Sequence, residues 1–583
     1  MKAQPEVEIC IVGLGAVGAM AAHALATAGL EVVALEAGPT RTGSDYRMDE
    51  LASSAGRNAW GDTKFNREVP TWRRNLDSPR RETPRSQGMA NGVGGSSLAY
   101  AGISFRYHPD DFRVRSNTLS RYGPRALPSG TDITDWPLRY EDLEPYYDLA
   151  EELLGVSGQA GNVRGTLLPG GNPFEGPRER PYPLPPLRTS GVGELFATAA
   201  REAGYQPFPV PAAILSEPYD GRPACTYCSF CTRSGCHVGA KASALVTVLP
   251  RALATGRLKI RTGCRVLRVR TTERGDTTGV EYIGPDGLTV QPAKVVILAS
   301  YTFENVRLLL LSRGPRCPNG LGNSASQVGC YYMARQHLPA FGVFTGRRLN
   351  CFIGSSAQGQ TIDDLNADNF DHAGLGFLRG GRISAVNQFS PITSTAIVPP
   401  DLPRWGRAYK EFLARCYNST VMLTVSVETL PYEANFLDLD PDVRDPHGVP
   451  VVRITFDNYD NEHRALAFLQ ERAVHLLQIM GADRIWRATP SVEAISVHDV
   501  GGTRMGTDPG RSVVDSFGRL HDVPNVFVLG GSTFPTQSGL NPTLTMQALA
   551  LRSAFHIAHT DYETMRGKLR PGSSPAAAVR SRT

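Results

Sequence analysis

Short apolar runs alternate with a helix-forming segment at the start of the chain. Val7–Val12 is apolar apart from Glu8, and residues 31–35 form a second apolar run. The Ala-rich residues 19–28 between them favour a helix. Short apolar runs on either side of a helix are typical of parallel strands that are buried on both faces. We therefore predict a strand–turn–helix–strand unit.

Two different strand patterns follow. Residues 294–299 and 526–529 repeat the buried-strand pattern, whereas residues 420–429 and 449–456 alternate β-branched with polar positions. Such alternation predicts antiparallel strands. Residues 461–480 have helical periodicity. We therefore predict an α/β fold in which a Rossmann-like domain carries a second α+β domain built on an antiparallel sheet.

Composition narrows the functional classes. The 583 residues carry a formal net charge of +5, with 41% hydrophobic and 20% charged residues. This balance excludes wholesale disorder and supplies no footprint for nucleic acid or for a membrane surface. The length is enough for about three or four domain-sized units.

The apolar stretch 9–35 is the only part of the sequence that resembles a membrane segment or a signal peptide. It contains four glycines and a central His23, and acidic residues precede it. A spanning helix and a secretory signal both need a different composition. We expect a cytoplasmic protein, with export alongside a signal-bearing partner subunit as the alternative.

A glycine fingerprint follows the first predicted strand. In Gly13-x-Gly15-x-x-Gly18 the glycines allow a tight turn and close approach of a pyrophosphate, which then lies at the start of a helix. Glu36 ends the next predicted strand, where a carboxylate can hold ribose hydroxyls. A carboxylate at this position repels a 2′-phosphate, which disfavours NADP and leaves FAD or NAD.

Four separated motifs, in order along the chain, resemble the glucose–methanol–choline (GMC) family of FAD oxidoreductases. They are the opening glycines, the segment Asn-Gly-Val-Gly-Gly-Ser-Ser at 91–97, His-Asp-Val-Gly-Gly-Thr-Arg-Met-Gly at 498–506, and the long segment 525–547. Within this family, the motifs are most similar to those of bacterial sugar, gluconate and glucoside dehydrogenases and of pyranose and glycoside oxidases. The resemblance extends over nearly the whole chain and implies the GMC fold.

The resemblance implies roles for matching positions. His498 corresponds to the histidine that takes the hydroxyl proton while hydride leaves the carbinol carbon, and Asn541 to the residue that holds the substrate oxygen. A histidine pKa suits this work, whereas an amide cannot act as a base. Without the resemblance, His498 could also be an ordinary surface or core histidine, and Asn541 could be a helix cap. The implied cofactor-binding residues are Gly13, Gly15, Gly18, Glu36, Asn91, Gly94, Gly95, Ser96, Val266, Gly530, Pro542 and Thr543.

Two departures from the family limit what carries over. Some pyranose oxidases have a histidine that attaches covalently to FAD shortly after the Gly-Gly-Ser segment, but here Ser97 is followed by Leu98 and Ala99. We therefore expect noncovalent FAD. The last predicted strand ends in Gly530-Gly531, where many members have an aspartate.

The resemblance also suggests domain boundaries. We expect a discontinuous FAD-binding domain at 1–45, 85–110, 220–320 and 490–565. The substrate-binding domain and its excursions are expected at 111–219 and 321–489. We expect a flexible tail from residue 566 onward.

Four of the ten cysteines lie close together: Cys225, Cys228, Cys231 and Cys236. Two-residue gaps between cysteines are typical of iron–sulfur sites, although the last gap here is four residues. The neighbouring residues 239–243 resemble a segment of membrane-linked sugar dehydrogenases that hold such a cluster. The alternatives are a structural zinc and a loop of reduced thiols without metal.

The leading hypothesis is oxidation of a hydroxyl of a sugar, glycoside, amino sugar or related polyol to a carbonyl. The alternative is a hydroxynitrile-lyase-like enzyme, which keeps FAD as a structural group. A third hypothesis is a non-catalytic redox or scaffold protein. The presence of His498 and Asn541 argues against this third hypothesis. Oxygen, a quinone or a cytochrome is the candidate electron acceptor. A small or cytochrome subunit is the candidate partner.

Overall fold

The computed structural model describes most of the chain. The described residues are 2–41, 45, 49–50, 70–82, 90–232, 234–351, 354–386, 391–395, 397–489 and 498–571. Part of the predicted FAD-binding segments (residues 42–44, 85–89, 233 and 490–497) and the end of the predicted tail (572–583) therefore lie outside the description.

The elements follow one another in an α/β order. The strands are Lys2–Ala3 (β1), Val7–Val12 (β2), Val32–Leu35 (β3), Thr71–Arg73 (β4), Arg81–Glu82 (β5), Asn162–Val163 (β6), Thr166–Leu167 (β7), Phe208–Pro209 (β8), Leu258–Arg261 (β9), Arg265–Thr271 (β10), Thr277–Gly284 (β11), Gly287–Leu298 (β12), Met333–Ala334 (β13), Gln336–His337 (β14), Ala340–Val343 (β15), Gln360–Ile362 (β16), Gly381–Ala385 (β17), Thr420–Val427 (β18), Phe436–Arg444 (β19), Pro450–Thr455 (β20), Arg484–Arg487 (β21), Asp499–Val500 (β22) and Val526–Val528 (β23). The α-helices are Ala16–Thr27 (α1), Val114–Tyr122 (α2), Tyr140–Leu154 (α3), Gly191–Glu202 (α4), Val248–Ala254 (α5), Thr302–Leu311 (α6), Pro391–Ser394 (α7), Gly406–Cys416 (α8), Asp460–Ile479 (α9), Thr543–Ile557 (α10) and Tyr562–Leu569 (α11). Within the described ranges, no helix is both long enough and apolar enough to cross a membrane.

The first sheet is the predicted Rossmann-like one. Its path is β10-β11-β12-β2-β3-β9, and β23 pairs with β12. The strands β9, β3, β2, β12 and β23 run parallel, whereas β10, β11 and the first half of β12 form an antiparallel meander. The strands β3 and β23 and the carboxyl-terminal parts of β2 and β12 are buried in the core, as their apolar sequences require, whereas β9 at the edge of the sheet is partly exposed. Their carboxyl ends share one edge, where ligands of such sheets bind.

The second sheet is antiparallel, as the alternating sequence predicts. Its path is β21-β15-β18-β17-β16-β8, and β14 pairs with β18. The long helix α9 packs on one face of this sheet, with Leu469 and Leu476 buried against Val425 and Ile383. Helix α4 packs beside α9 through Phe196. The domain therefore has its own core.

Three predicted boundaries need correction. Helix α3 lies within the expected substrate-binding segment, but Leu143 and Tyr147 belong to the core of the Rossmann-like domain, and the Tyr147 hydroxyl lies 2.8 Å from Thr545 Oγ1 of α10. Strands β19 and β20 also bury apolar side chains in that core. Residues 566–569 were expected to belong to the flexible tail. They instead form the last turn of helix α11, where Leu569 is buried.

Candidate active site at the edge of the parallel sheet

The three glycines of the fingerprint differ in what they allow. A Cβ atom on Gly18 would lie 2.1 Å from the Gly13 carbonyl oxygen, and one on Gly13, whose φ is +88°, would lie 2.8 Å from the Ala299 carbonyl oxygen. These two positions therefore need glycine for the turn and its packing. A Cβ on Gly15 would meet only the Gly95 Cα, at 4.0 Å. The loop is thus open on the Gly15 side, at the start of α1, as a pyrophosphate site requires.

Glu36 is buried at the carboxyl end of β3 and joins three loops. Its Oε2 accepts a hydrogen bond from the Leu14 N–H at 2.9 Å, and its Oε1 accepts from the N–H groups of Gly38 at 2.9 Å and Gly92 at 3.2 Å. The structure therefore gives this carboxylate a role in fixing the loops. Its contact with ribose stays a prediction.

The segment 91–97 lies against the fingerprint loop. The Gly94 N–H donates to the Leu14 carbonyl at 2.8 Å, and the Ser96 hydroxyl accepts from the Ala90 N–H at 3.2 Å. Asn91, Gly94, Gly95 and Ser96 therefore lie beside the opening at Gly15, although the two segments are far apart in the sequence.

The other predicted cofactor residues lie at the same edge of the sheet. Val266 is buried at the start of β10, close to Glu36, because the Cys264 N–H donates to the Glu36 carbonyl at 2.9 Å. Gly530 follows β23 with φ of +111°, and a Cβ there would meet nothing within 4 Å. Pro542 and Thr543 begin α10. The open space at Gly15 and Gly530 fits a dinucleotide cofactor such as FAD.

His498 and Asn541 are in contact, although 43 residues separate them. The Asn541 Nδ2 lies 3.0 Å from the His498 Nε2. His498 immediately precedes β22, and Asn541 precedes the first turn of α10. The His337 ring has its centroid 5.9 Å from that of His498.

Two buried arginines determine how this pair is oriented. The Asn541 Oδ1 accepts from Arg382 Nη2 at 3.0 Å and from Arg335 Nη1 at 3.4 Å. Because guanidinium groups only donate, this oxygen faces the arginines and the amide NH₂ faces His498. Arg335 Nη2 also lies 3.4 Å from the His498 Nε2. That nitrogen therefore accepts hydrogen bonds, which assigns the proton of the neutral ring to Nδ1.

The surroundings keep His498 unprotonated. Burial lowers its pKa well below the usual value, and the positive charges of Arg335 and Arg382 and the neighbouring His337 ring lower it further. A neutral imidazole whose Nε2 carries the lone pair can accept a proton at neutral pH once a substrate hydroxyl replaces the Asn541 amide as its hydrogen-bond donor. The arrangement therefore suits a general base.

Neighbouring residues hold the backbone of His498 in place. Gln537 Nε2 donates to the His498 carbonyl at 2.8 Å, while its Oε1 accepts from the Thr429 N–H at 3.1 Å. The next residue, Asp499, accepts hydrogen bonds from the hydroxyls of Tyr301 and Tyr332. Burial raises the pKa of Asp499 to about 7. These contacts tie the base to both domains.

The four clustered cysteines do not form a metal site in this structure. All four are partly buried and lie in the loop 225–236, but no group of three or more His, Cys, Asp or Glu side chains in the described ranges is placed to hold a metal ion. The nearby ammonium of Lys241 donates to the carbonyls of Tyr100 at 2.7 Å, Cys231 at 2.5 Å and Ser234 at 2.9 Å. In the described part of the chain the four thiols are therefore not placed as ligands of an iron–sulfur cluster or of zinc.

Comparison with known proteins identifies the family. Models of the GMC oxidoreductase family match residues 186–330 and 431–550. The gluconate 2-dehydrogenase flavoprotein of Pantoea cypripedii is 34% identical over 95% of this chain and 93% of its own length. The chain is a GMC oxidoreductase. The predicted family and fold class are confirmed.

Other GMC relatives act on different alcohols. The paromamine 6'-oxidase of Streptomyces fradiae is 30% identical over 94% of this chain and 91% of its own length. The fructose dehydrogenase large subunit of Gluconobacter japonicus is 29% identical, with 94% and 97% covered. Among solved structures, pyridoxine 4-oxidase from Mesorbium loti aligns with a TM-score of 0.61 at 17% identity, covering 95% of this chain and 100% of that one. These structural likenesses show the shared fold, and the family binds FAD.

Sequence reasoning missed Arg335, Arg382 and Gln537. Arg335 immediately precedes β14 and lies 206 residues before Asn541 in the sequence. Arg382 lies in β17, 159 residues before Asn541. No local sequence pattern marks Arg382, because the burial of every position of its strand is seen only in the structure. A charged residue in such a strand indicates a polar site.

Proposed function

We propose that this enzyme oxidises a hydroxyl group of a sugar, glycoside or related polyol to a carbonyl. The contact between His498 and Asn541 at 3.0 Å carries the proposal, because it places a base and a hydrogen-bond donor side by side. The sugar, gluconate and aminoglycoside substrates in the names of the relatives support this class.

His498 and Asn541 divide the work on the hydroxyl. The Asn541 NH₂ holds the substrate oxygen, and the His498 Nε2 takes the hydroxyl proton. FAD, when bound, supplies the acceptor for the hydride from the carbinol carbon. Removing the proton avoids a protonated carbonyl, and such general-base help is worth about 10²–10⁴-fold in rate.

The cofactor is proposed to be noncovalent FAD. Gly15 and Gly530 leave room for it, and the start of α10 presents its positive end to the same edge of the sheet. Yellow protein that releases its flavin on acid precipitation is the expected result. Flavin that stays with the precipitated chain would contradict noncovalent binding.

Gly15→Ala tests the cofactor site with a readout other than activity. The methyl group meets no close protein atom and φ is not positive, so the fold should be kept while flavin affinity falls, because the methyl group occupies the side facing the cofactor. Flavin content and circular dichroism measure the two effects. Gly18→Ala is the matched control, since its Cβ would clash with the Gly13 carbonyl and should disturb the fold itself. Full flavin binding by folded Gly15→Ala would place the cofactor elsewhere.

The substrate class is tested by bleaching of the flavin. Protein loaded with FAD is mixed under argon with a panel of sugars, glycosides and polyols, and air is then admitted. Bleaching by members of the panel supports the proposal, and recolouring by air or only by a quinone identifies an oxidase or a dehydrogenase. Turnover of a cyanohydrin without bleaching, and no bleaching by any alcohol, would replace the proposal by the lyase alternative.

The iron–sulfur cluster and a partner subunit remain finer hypotheses. The cysteine loop does not fit a metal as the structure has it, so no step of the mechanism uses one. Iron and acid-labile sulfide in amounts equal to the flavin, lost in Cys228→Ser, would establish the cluster.

The words "flavoprotein" and "large subunit" in the relatives' names suggest a multi-subunit enzyme, which co-purification from the native source tests.

A further inference from the structure

Arg382 is a buried arginine without an acidic partner in the described ranges. Some other buried arginines contact carboxylates: Arg106 lies 2.7 Å from Glu151, and Arg307 lies 2.7 Å from Asp445. The Nε and Nη1 of Arg382 are buried and have no hydrogen-bond partner among the described residues. Burying donors and a charge in this way is costly unless a ligand completes the site.

Asp363 is the acidic residue whose charge acts on Arg382, and one of its two carboxylate oxygens is engaged elsewhere, while its Oδ1 has no hydrogen-bond partner among the described residues. Its charge stabilises the Arg382 cation, but the two form no ion pair in the described part of the chain. The Asp363 Oδ2 instead accepts from Asn172 Nδ2 at 2.8 Å and lies 3.2 Å from His108 Nε2. Burial lowers the pKa of Arg382 to about 10, so it stays charged at neutral pH.

The Arg382 cation lies one side chain away from the candidate base His498. One amide group separates Arg382 from the base, since Asn541 accepts from Arg382 at 3.0 Å and lies 3.0 Å from His498. Arg335 contacts both Asn541 and His498. The Phe105 ring lies under the Arg382 guanidinium at 4.1 Å and fixes its plane. A ligand that reached the unpaired Nε and Nη1 of this guanidinium would therefore lie next to the candidate base and be part of the substrate.

We propose that the preferred substrate is a sugar acid, whose carboxylate binds Arg382 with support from Arg335 while its hydroxyl lies between His498 and Asn541. The planar fork of a guanidinium matches a carboxylate with two parallel hydrogen bonds. A neutral sugar would leave these donors without a charged acceptor. This inference rests on the proposed function and narrows its substrate class.

The first experiment compares matched substrates with the FAD-loaded enzyme. Flavin reduction under argon is followed with gluconate against glucose and with galactonate against galactose. We expect kcat/KM to favour the acids by roughly 10- to 100-fold, the range of a charge-assisted hydrogen bond. Equal or better reduction by the neutral sugars would overturn the inference and leave the proposed function standing. No reduction by either class would instead contradict the proposed function.

The second experiment changes the cation. Arg382→Gln should lower the acid-to-neutral ratio of kcat/KM by roughly 10-fold or more, and Arg382→Lys should restore part of it. Arg407→Gln, which removes an exposed charge on α8, is the control and should leave the ratio unchanged. Acetate should inhibit competitively and perturb the flavin spectrum in wild type, and less so in Arg382→Gln. An unchanged ratio and unchanged acetate binding in Arg382→Gln, or failure of acetate to bind wild type, would overturn the inference.

Discussion

Two arginines three residues apart, Arg379 and Arg382, have opposite surroundings. Arg379 Nε donates to Glu428 at 2.5 Å, and its Nη2 contacts Asp111. Arg382, in the strand that follows, contacts the neutral Asn541 and the ring of Phe105. Both side chains are buried. A buried cation with two carboxylates is a structural group, whereas the unpaired donors of Arg382 are the basis for proposing that it binds a ligand.

The largest expected effect is a difference in unfolding free energy between variants of the two arginines. Arg379→Met should lower the unfolding free energy by about 3–5 kcal/mol, because Asp111 and Glu428 would be left buried without a cation. Arg382→Met should cost much less, or even stabilise, since it removes a buried charge that lacks an acidic partner. Denaturant midpoints of the two apoproteins measure this. Equal destabilisation would show that Arg382 is also a structural ion pair.

Asn541→Asp tests whether a charge beside His498 changes the pH dependence of flavin reduction. We expect its effect to be smaller than the loss of stability in Arg379→Met. We expect flavin reduction to require unprotonated His498, whose lowered pKa should keep the wild-type rate flat near neutral pH and let it fall only well below pH 6.5. A carboxylate at 541 favours the imidazolium, so the pKa of His498 rises and the fall moves to higher pH. Asn541→Ala should be slower without this shift. An identical pH profile in wild type and Asn541→Asp would remove His498 as the titrating base.

The smallest effect concerns the orientation of Arg382. Phe105→Leu keeps an apolar side chain but removes the ring under the guanidinium, which is worth about 0.5–2 kcal/mol. The KM for a sugar acid should rise by a few-fold, with little change in the KM for the matching neutral sugar. A similar rise for both substrates would assign Phe105 to packing of the site in general.

Local sequence patterns predicted the parallel core and the cofactor loops. The fingerprint glycines, the strand Val7–Val12 and the helix α9 follow from periodicity and from backbone freedom, which act over a few residues. Family resemblance supplied His498 and Asn541. Their contact, across 43 residues, is a tertiary fact that no local pattern contains.

The arginines and the boundaries could not be predicted for the same reason. Arg335 and Arg382 reach Asn541 from the second sheet, and only the packing of that sheet on the Rossmann-like domain brings them there. Helix α3 was misplaced because its amphipathic face does not reveal which core it joins. The four cysteines have a suggestive spacing, yet spacing alone does not make their thiols converge.

The central claim is that His498 removes the hydroxyl proton as hydride leaves the carbinol carbon. Anaerobic stopped-flow reduction of the flavin, with a substrate deuterated at that carbon, tests it in wild type and in His498→Ala. We expect bleaching to slow with deuterium, to be about 10²-fold or more slower in His498→Ala, and to lose its acid fall-off there. Bleaching of His498→Ala at nearly the wild-type rate, with the same pH profile, would contradict the account.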